Sequence, residues 1–313
     1  VATPIAGLFA AIAQTPARLR RIGILLVSPQ ERITIRPILE ELERLGHVDG
    51  KTISIEYRDA GGQFEGLPEA AAELVRLKPD VIFSFGGEQA PIVKQATASI
   101  PIVVVVSNDP VESALVASLA RPGGNITGVT WVQEQLAGKV IELLKDAAPS
   151  VSRVAVIWNP EHTDPEFREI ERGARTMKVQ LQSLEVRKPS DFEGAFQAMT
   201  RDLPEAVILI GSRLMFLHRR AIGDFVTKNR LILVGNALWL SEIGAVLKYG
   251  ANVPELTRKA AGYVDKILKG ARPADLPMQQ PATFELAINL KVAKTLGLTI
   301  PGTLLARADD VIE

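Results

Sequence analysis

Apolar runs of four to six residues recur along the chain, and each ends in a small or polar turn. Ile22–Val27 stops at Ser28-Pro29, Val81–Phe85 at Gly86-Gly87, and Ile102–Val106 at Ser107-Asn108-Asp109-Pro110. Val154–Trp158 stops at Asn159-Pro160 and Val207–Ile210 at Gly211-Ser212. Most of these runs lead into segments with apolar residues at helical spacing, as in 35–45, where Ile35, Ile38, Leu39, Leu42 and Leu45 share one face. Pro37 then has to fall in the first helical turn, where its missing N–H is not needed. Apolar strands alternating with amphipathic helices predict parallel sheets covered on both faces. In such sheets ligands bind beyond the carboxyl ends of the strands, so these five turns are where function is sought first.

The pattern occurs twice. Strands over 22–27, 51–57, 81–85 and 102–106 alternate with helices over 35–45, 67–77, 88–98 and 111–120, up to the break Arg121-Pro122-Gly123-Gly124. It then restarts with helices over 133–147, 164–177, 191–201, 216–228 and 254–269, and strands over 153–158, 179–186, 206–210, 231–234 and 243–248. The expected fold is α/β, with two doubly wound parallel-sheet lobes joined by a hinge. The first lobe is expected to hold 20–128 and about 251–285, the second 129–250 and 286–313. Residues 125–131 and 249–253 lie at the joins, as hinges or as ordinary loops.

Composition narrows the function classes. The 313 residues are 47% hydrophobic and 23% charged, ordinary values for a globular protein. The 36 basic and 36 acidic residues cancel, which gives no support for a nucleic-acid partner or a polybasic membrane patch. Local clusters such as Arg18–Arg21 and His218-Arg219-Arg220 read as solvated faces. Without cysteine there is no disulfide, thiol catalysis, thiolate metal site or acylated lipoprotein cysteine. The run Ile5–Ala13 ends in Ala11-Ile12-Ala13, which resembles the apolar core and cleavage site of a secretory signal without its basic leader. Residues 1–19 are therefore read as a signal remnant and leader, the alternative being a short helix of a cytosolic protein. No apolar stretch reaches the ~20 residues of a membrane span.

Catalytic chemistry finds little support. There is no G-x-G-x-x-G at Gly86-Gly87, no P-loop, no nucleophile elbow and no H-E-x-x-H. Glu88 would partly offset the anion preference of the helix that follows Gly87. What remains is a cleft lined by strand tips. Phe85, Trp131, Trp158, Trp239 and Tyr249 are aromatic candidates there, each of which also fits a core position, with Trp131 and Trp239 better placed for a pocket. Arg213, directly after Gly211-Ser212, suits a bidentate carboxylate pair or is a surface arginine.

Several stretches carry a family likeness: RIGILLVSP (21–29), LERLGHVDGKTISIEYRDAGGQFEGLPEAAAELVRLKPDVIFS (42–84), KQATASIPIVVVVSNDPVESALVASLARPGGNITGVT (94–130), SRVAVIWNP (152–160), YVDKILKGARPADLPMQQPATFELAINLKVAKTLGLTIP (263–301) and LLARADDVIE (304–313). Over 20–313 the chain resembles the bacterial ABC-transporter substrate-binding proteins of the tryptophan/tyrosine type, with the type I periplasmic binding-protein fold. The resemblance implies an exported, periplasmic, monomeric solute receptor with no catalysis, cofactor, metal or nucleic-acid partner. Its two lobes would close on an aromatic or carboxylated compound or an amino acid, and an ABC permease would recognise the closed form. A sensor protein in place of the permease is the alternative, followed by a cytosolic doubly wound enzyme. The ligand-binding residues expected are Ser28, Pro29, Phe85, Gly86, Gly87, Glu88, Asn108, Asp109, Trp131, Asn159, His162, Ser212, Arg213, Asn236, Trp239 and Tyr249. Three tips depart from the family pattern. A Thr-Pro is replaced by Gly87-Glu88, an Asp-Pro by Ser212-Arg213, and an Arg-Glu pair is absent around Gly235–Trp239. Gaining Arg213 predicts a preference for a carboxylate without a required amine, while Glu88 favours an ammonium group.

Overall fold

A computed structural model of the chain describes residues 18–131, 134–161 and 166–313. The Ile5–Ala13 run and His162 lie outside the described residues.

Strands β1 (Arg20–Leu26), β2 (Ile53–Asp59), β3 (Val81–Phe85), β4 (Ile102–Val106) and β5 (Ile126–Thr130) form the first sheet. Their order is β2-β1-β3-β4-β5, and every pair is parallel. The second sheet contains β6 (Arg153–Trp158), β7 (Gln180–Glu185), β8 (Ala206–Leu209), β9 (Ile232–Gly235), β10 (Leu247–Ala251), β11 (Phe284–Asn289) and β12 (Asp310–Ile312). Its order β12-β11-β10-β9-β8-β6-β7 repeats the first arrangement in β7-β6-β8-β9-β10, then adds β11 antiparallel to β10. In both sheets the direction of winding therefore reverses beside the first strand of the unit, between β1 and β3 and between β6 and β8. Ligand crevices form at such positions.

Helices cover both faces of each sheet. On the first, α1 (Arg36–Arg44) buries Ile38 and Leu42 on one face, and α2 (Leu67–Arg76) and α3 (Gln89–Ala96) bury Leu74 and Val93 on the other. On the second, α4 (Glu134–Ala147) and α5 (Glu166–Thr176) take one face, while α6 (Asp191–Asp202), α7 (Arg213–Leu217) and α8 (Arg219–Lys228) take the other. Next in the chain, α9 (Val253–Leu268) returns to the first sheet, where Leu256 and Val264 pack beside Ile38 and Leu42. The short α10 (Leu290–Leu296) and α11 (Gly302–Leu305) close the face of the second sheet held by α4. The buried strands are near-continuous apolar runs, Ile102–Val106 being fully enclosed, as a sheet covered on both sides requires.

The chain passes between the lobes after β5, at Asn252 and at 280–283. Asn252 caps α9 by accepting a hydrogen bond from the Glu255 N–H at 2.8 Å, and its amide donates to Glu285 at 2.6 Å, which ties two crossings together. Strand β5 stays with the first sheet through Thr130, and β11 joins the second from Phe284.

Four expectations differ from the structure. Residues 111–120 form turns, not a helix. The Asp109 carboxylate accepts from the N–H groups of Val111 and Glu112, Ala114 adopts a left-handed φ of 54°, and Leu115 and Val116 both donate back to the Pro110 carbonyl, so the chain reverses after one turn. The 216–228 helix is two helices, α7 and α8, broken at His218. The 243–248 strand begins at Leu247, after a 3-10 stretch over Leu238–Ile243. Residues 125–131, expected at a join, instead contain strand β5.

Gly128 is required there. Its φ is +143°, and a Cβ would sit 2.0 Å from the Val104 carbonyl oxygen of β4. Gly128→Ala is expected to destabilise the fold by about 2–5 kcal/mol, since strain and overpacking add. Denaturant titration checks this, and a loss under about 1 kcal/mol would contradict the role given to this glycine.

Candidate functional site

The carboxyl ends of both sheets converge on one cavity of about 230 Å3. From the first lobe it is lined by Phe85, Gly86 and Glu88 beyond β3, Ser107 beyond β4, Trp131 beyond β5, and Ile33 and Thr34 near the 3-10 turn after β1. From the second come Glu166 at the start of α5, Gly211, Ser212 and Arg213 beyond β8, Phe216 and Arg219, and Asn236, Ala237, Trp239 and Glu242 beyond β9. Val253, at the start of α9, completes the lining.

Aromatic pairs stand on both sides. Phe85 and Trp131 tilt against each other with ring centroids 5.7 Å apart on the first lobe, and Phe216 and Trp239 meet edge-on at 6.1 Å on the second. Such walls suit a flat apolar group, because tilted and edge-on rings leave faces and edges for a third ring.

The strongest polar feature is an ion pair that crosses the cleft. Glu31 lies in the 3-10 turn Pro29–Ile33 after β1, and Arg213 begins α7 after β8. The Arg213 Nη1 meets Glu31 Oε1, with side-chain exposures of only 7% and 2%. The other Glu31 oxygen accepts from the Val27 N–H at 3.0 Å and from the Gln89 amide at 3.3 Å. Arg213 Nη2 donates to the Phe85 carbonyl at 3.0 Å, which is a second bond between the lobes. Gly86 makes room for it: with φ +117°, a Cβ there would lie 2.8 Å from Nη2. Among the described residues, Arg213 Nε is buried without a hydrogen-bond partner.

Two further groups are positioned by neighbouring tips. Asn236 accepts from the Gly211 N–H at 3.3 Å and donates to the buried Glu166 carboxylate at 2.6 Å, which joins the ends of β8 and β9 to α5. Arg219 lies 4.2 Å over the Phe216 ring, donates to the Phe216 carbonyl and pairs with Glu242 at 3.4 Å.

The structure therefore brings Phe85, Gly86, Glu88, Trp131, Ser212, Arg213, Asn236 and Trp239 together around the cavity. The other described candidates lie outside its lining. Ser28 is buried just beyond β1, and Pro29 is exposed. Gly87 packs on Asn108, which is itself buried. Asp109 caps the 110–116 turn, and Asn159 accepts from the Glu161 N–H. Tyr249 packs beside Phe284 in the core, and Trp158 stacks on Phe167 at 4.4 Å while its N–H donates to Ser183. The expectation that Arg213 is open to a ligand carboxylate is corrected, because the protein supplies that carboxylate itself from Glu31.

Sequence reasoning missed Glu31, Ser107, Glu166, Phe216 and Arg219. Glu31 carries no local signal, since its partner comes from the other lobe. Arg219 reads as part of a solvated basic cluster, but the break at His218 turns it toward Phe216 and Glu242.

Residues 24–312 match the family described as ABC transporter substrate binding protein. A tyrosine-binding protein of Clostridioides difficile (strain R20291) is 23% identical over 284 residues, which cover 89% of this chain and 81% of that protein. A conserved domain protein from Vibrio cholerae superposes with a TM-score of 0.85 at 26% identity, covering 94% of this chain and all of the other. An ABC domain in complex with L-Trp from Streptococcus pneumoniae gives the same TM-score of 0.85 at 22% identity, again over 94% of this chain and all of that one.

Removing one partner of a buried ion pair costs about 3–5 kcal/mol. Here the partners belong to different lobes, so opening the cleft relieves the cost. Arg213→Met is expected to raise the ligand-free radius of gyration in small-angle scattering, and an unchanged radius would place the pair outside lobe closure. A second expectation concerns pH. Burial pushes the Glu31 carboxyl above its ordinary value, against the opposing pull of Arg213 and the bonds from Val27 and Gln89. The folded state thus holds this proton more firmly than the unfolded chain, so its contribution to stability falls as pH rises from the ordinary glutamate range through the raised value. The stability of wild type relative to Glu31→Gln, measured between about pH 4 and pH 8, should fall with pH. A difference that grows with pH would contradict the assignment.

Proposed function

The chain belongs to the ABC transporter substrate-binding protein family, and from that premise we propose that it is a periplasmic, monomeric receptor that closes two lobes on a small aromatic solute. The family is one of extracytoplasmic solute-binding proteins that work with a membrane permease. The observation that carries the ligand class is the placement of Phe85 and Trp131 on one lobe opposite Phe216 and Trp239 on the other. The likeness to a tyrosine-binding protein and to an L-Trp complex supports the same class.

Closure follows from differential binding. A ligand shifts the lobes only by the affinity it gains in the closed state over the open one. A ring held between the two aromatic pairs gains contacts to both lobes at once, whereas in an open cleft it reaches one pair. Asn252 and 280–283 act as hinge segments, with the residues up to Thr130 and those of α9 moving with the first lobe. Ser107, Ser212 and Asn236 supply the polar contacts that orient the solute.

Thermal-shift measurements test the reading. Aromatic compounds should raise the melting temperature, while aliphatic compounds with the same polar groups should not. Trp131→Ala and Trp239→Ala should each weaken the tightest aromatic ligand by about 1–3 kcal/mol. Equal stabilisation by aliphatic and aromatic compounds would refute the aromatic class.

A further inference from the structure

The cleft holds two guanidinium groups, and both are already engaged by the protein. Arg213 meets Glu31 and the Phe85 carbonyl, and Arg219 meets Glu242, the Phe216 carbonyl and the Phe216 ring. Among the described lining residues there is no other Arg or Lys, while Glu88, Glu166 and Glu242 contribute carboxyl groups. A ligand carboxylate could pair with either guanidinium only in competition with the Glu31 or Glu242 carboxylate already on it. Like charges brought together in a poorly solvated site repel strongly, and specificity is often built from such repulsion.

We propose that Glu31 is the specificity-determining residue of the cleft: by occupying Arg213 as an internal carboxylate, it selects aromatic solutes that carry no free carboxylate, amines and uncharged compounds above acids. The Arg213 charge is already balanced by Glu31, so a ligand need bring no anion to it. Glu31 is held for this role from its own lobe. The Val27 N–H and the Gln89 amide fix one oxygen, which leaves the other to face Arg213. The inference rests on the reading of the cavity as an aromatic-solute site and adds the charge of the headgroup.

Calorimetric titration of wild type and Glu31→Gln with matched probes tests it. One series is tryptophan, tryptamine and indole-3-acetate, and the other is leucine, isoamylamine and isovalerate. In wild type the indole amine should bind at least about tenfold more tightly than the indole acid. In Glu31→Gln, where the Arg213 charge is released, the ratio should move toward the acid by about tenfold or more. A structural role alone would weaken all probes together and leave the ratio unchanged. Wild-type binding of the acid as tight as that of the amine overturns the proposal, and this outcome needs no variant to fold. An unchanged ratio in folded Glu31→Gln, verified by circular dichroism, also overturns it. Should the indole series fail to bind while the leucine series shows the amine preference and its shift, the aromatic reading falls and the role of Glu31 stands. Failure of the preference in both series removes the role of Glu31.

Discussion

The contact between Glu31 and Arg213 sets the terms on which the two lobes can meet. Each side chain is almost fully withdrawn from water, and each belongs to a different sheet. Either charge alone in that place would be costly, so the pair and the closed cleft depend on each other. Opening returns both groups to water, where solvation replaces most of the lost attraction. The net energy of such a pair is small even though the loss of one partner is large. A contact of this kind aligns the lobes at little net gain or cost. A receptor that is to be closed by a small molecule needs that balance, because the ligand supplies only its differential affinity.

The architecture explains why the contact forms where it does. Both sheets use the same strand order, so each leaves a crevice beside its first strand, β1 in one lobe and β6 in the other. The turn after β1 carries Glu31, and the tip of β8, next to β6, carries Arg213. Once the lobes face each other by their carboxyl ends, these two positions come together. Gly86 then allows the guanidinium to approach the β3 tip closely enough to reach the Phe85 carbonyl. The rigid parts are the buried strands, and the adjustable parts are short tips, an arrangement that lets pocket chemistry vary while the scaffold stays fixed.

Much of this was legible in the chain itself. Runs such as Ile102–Val106 and Val207–Ile210 announce buried parallel strands, and the turns after β3 and β8 mark positions that line the cavity. Those features are local, so sequence pattern carries them. The misses are of another kind. Glu31 sits in a polar turn that looks like any solvated loop, and its meaning lies in a residue from the other lobe. Strand β5 contains Gly128, whose small size serves the neighbouring β4, a relation that its own local sequence does not display. The 111–120 segment has helical spacing, yet Asp109 and Pro110 spend its first hydrogen bonds on a reversal. Ser28 and Asn108 stand at strand ends as read but are buried, and Tyr249, read at a join, lies inside β10, which depends on packing that no spacing encodes.

Arg213 shows how a pocket arginine must be read together with its neighbours. Its place at a strand tip in the cleft was readable, and an arginine there ordinarily suggests an anionic ligand. Charge in a pocket is a property of the set, not of one residue. Glu31 supplies the anion, and Arg219 is answered by Glu242 in the same way. The aromatic walls remain unaffected by this internal pairing, since they act through shape and apolar area. Scaffold and walls can therefore be shared with relatives that bind aromatic amino acids while the headgroup chemistry differs. At about a quarter identity, the shared part is the fold. The headgroup has to be argued from the charges that this cleft already holds.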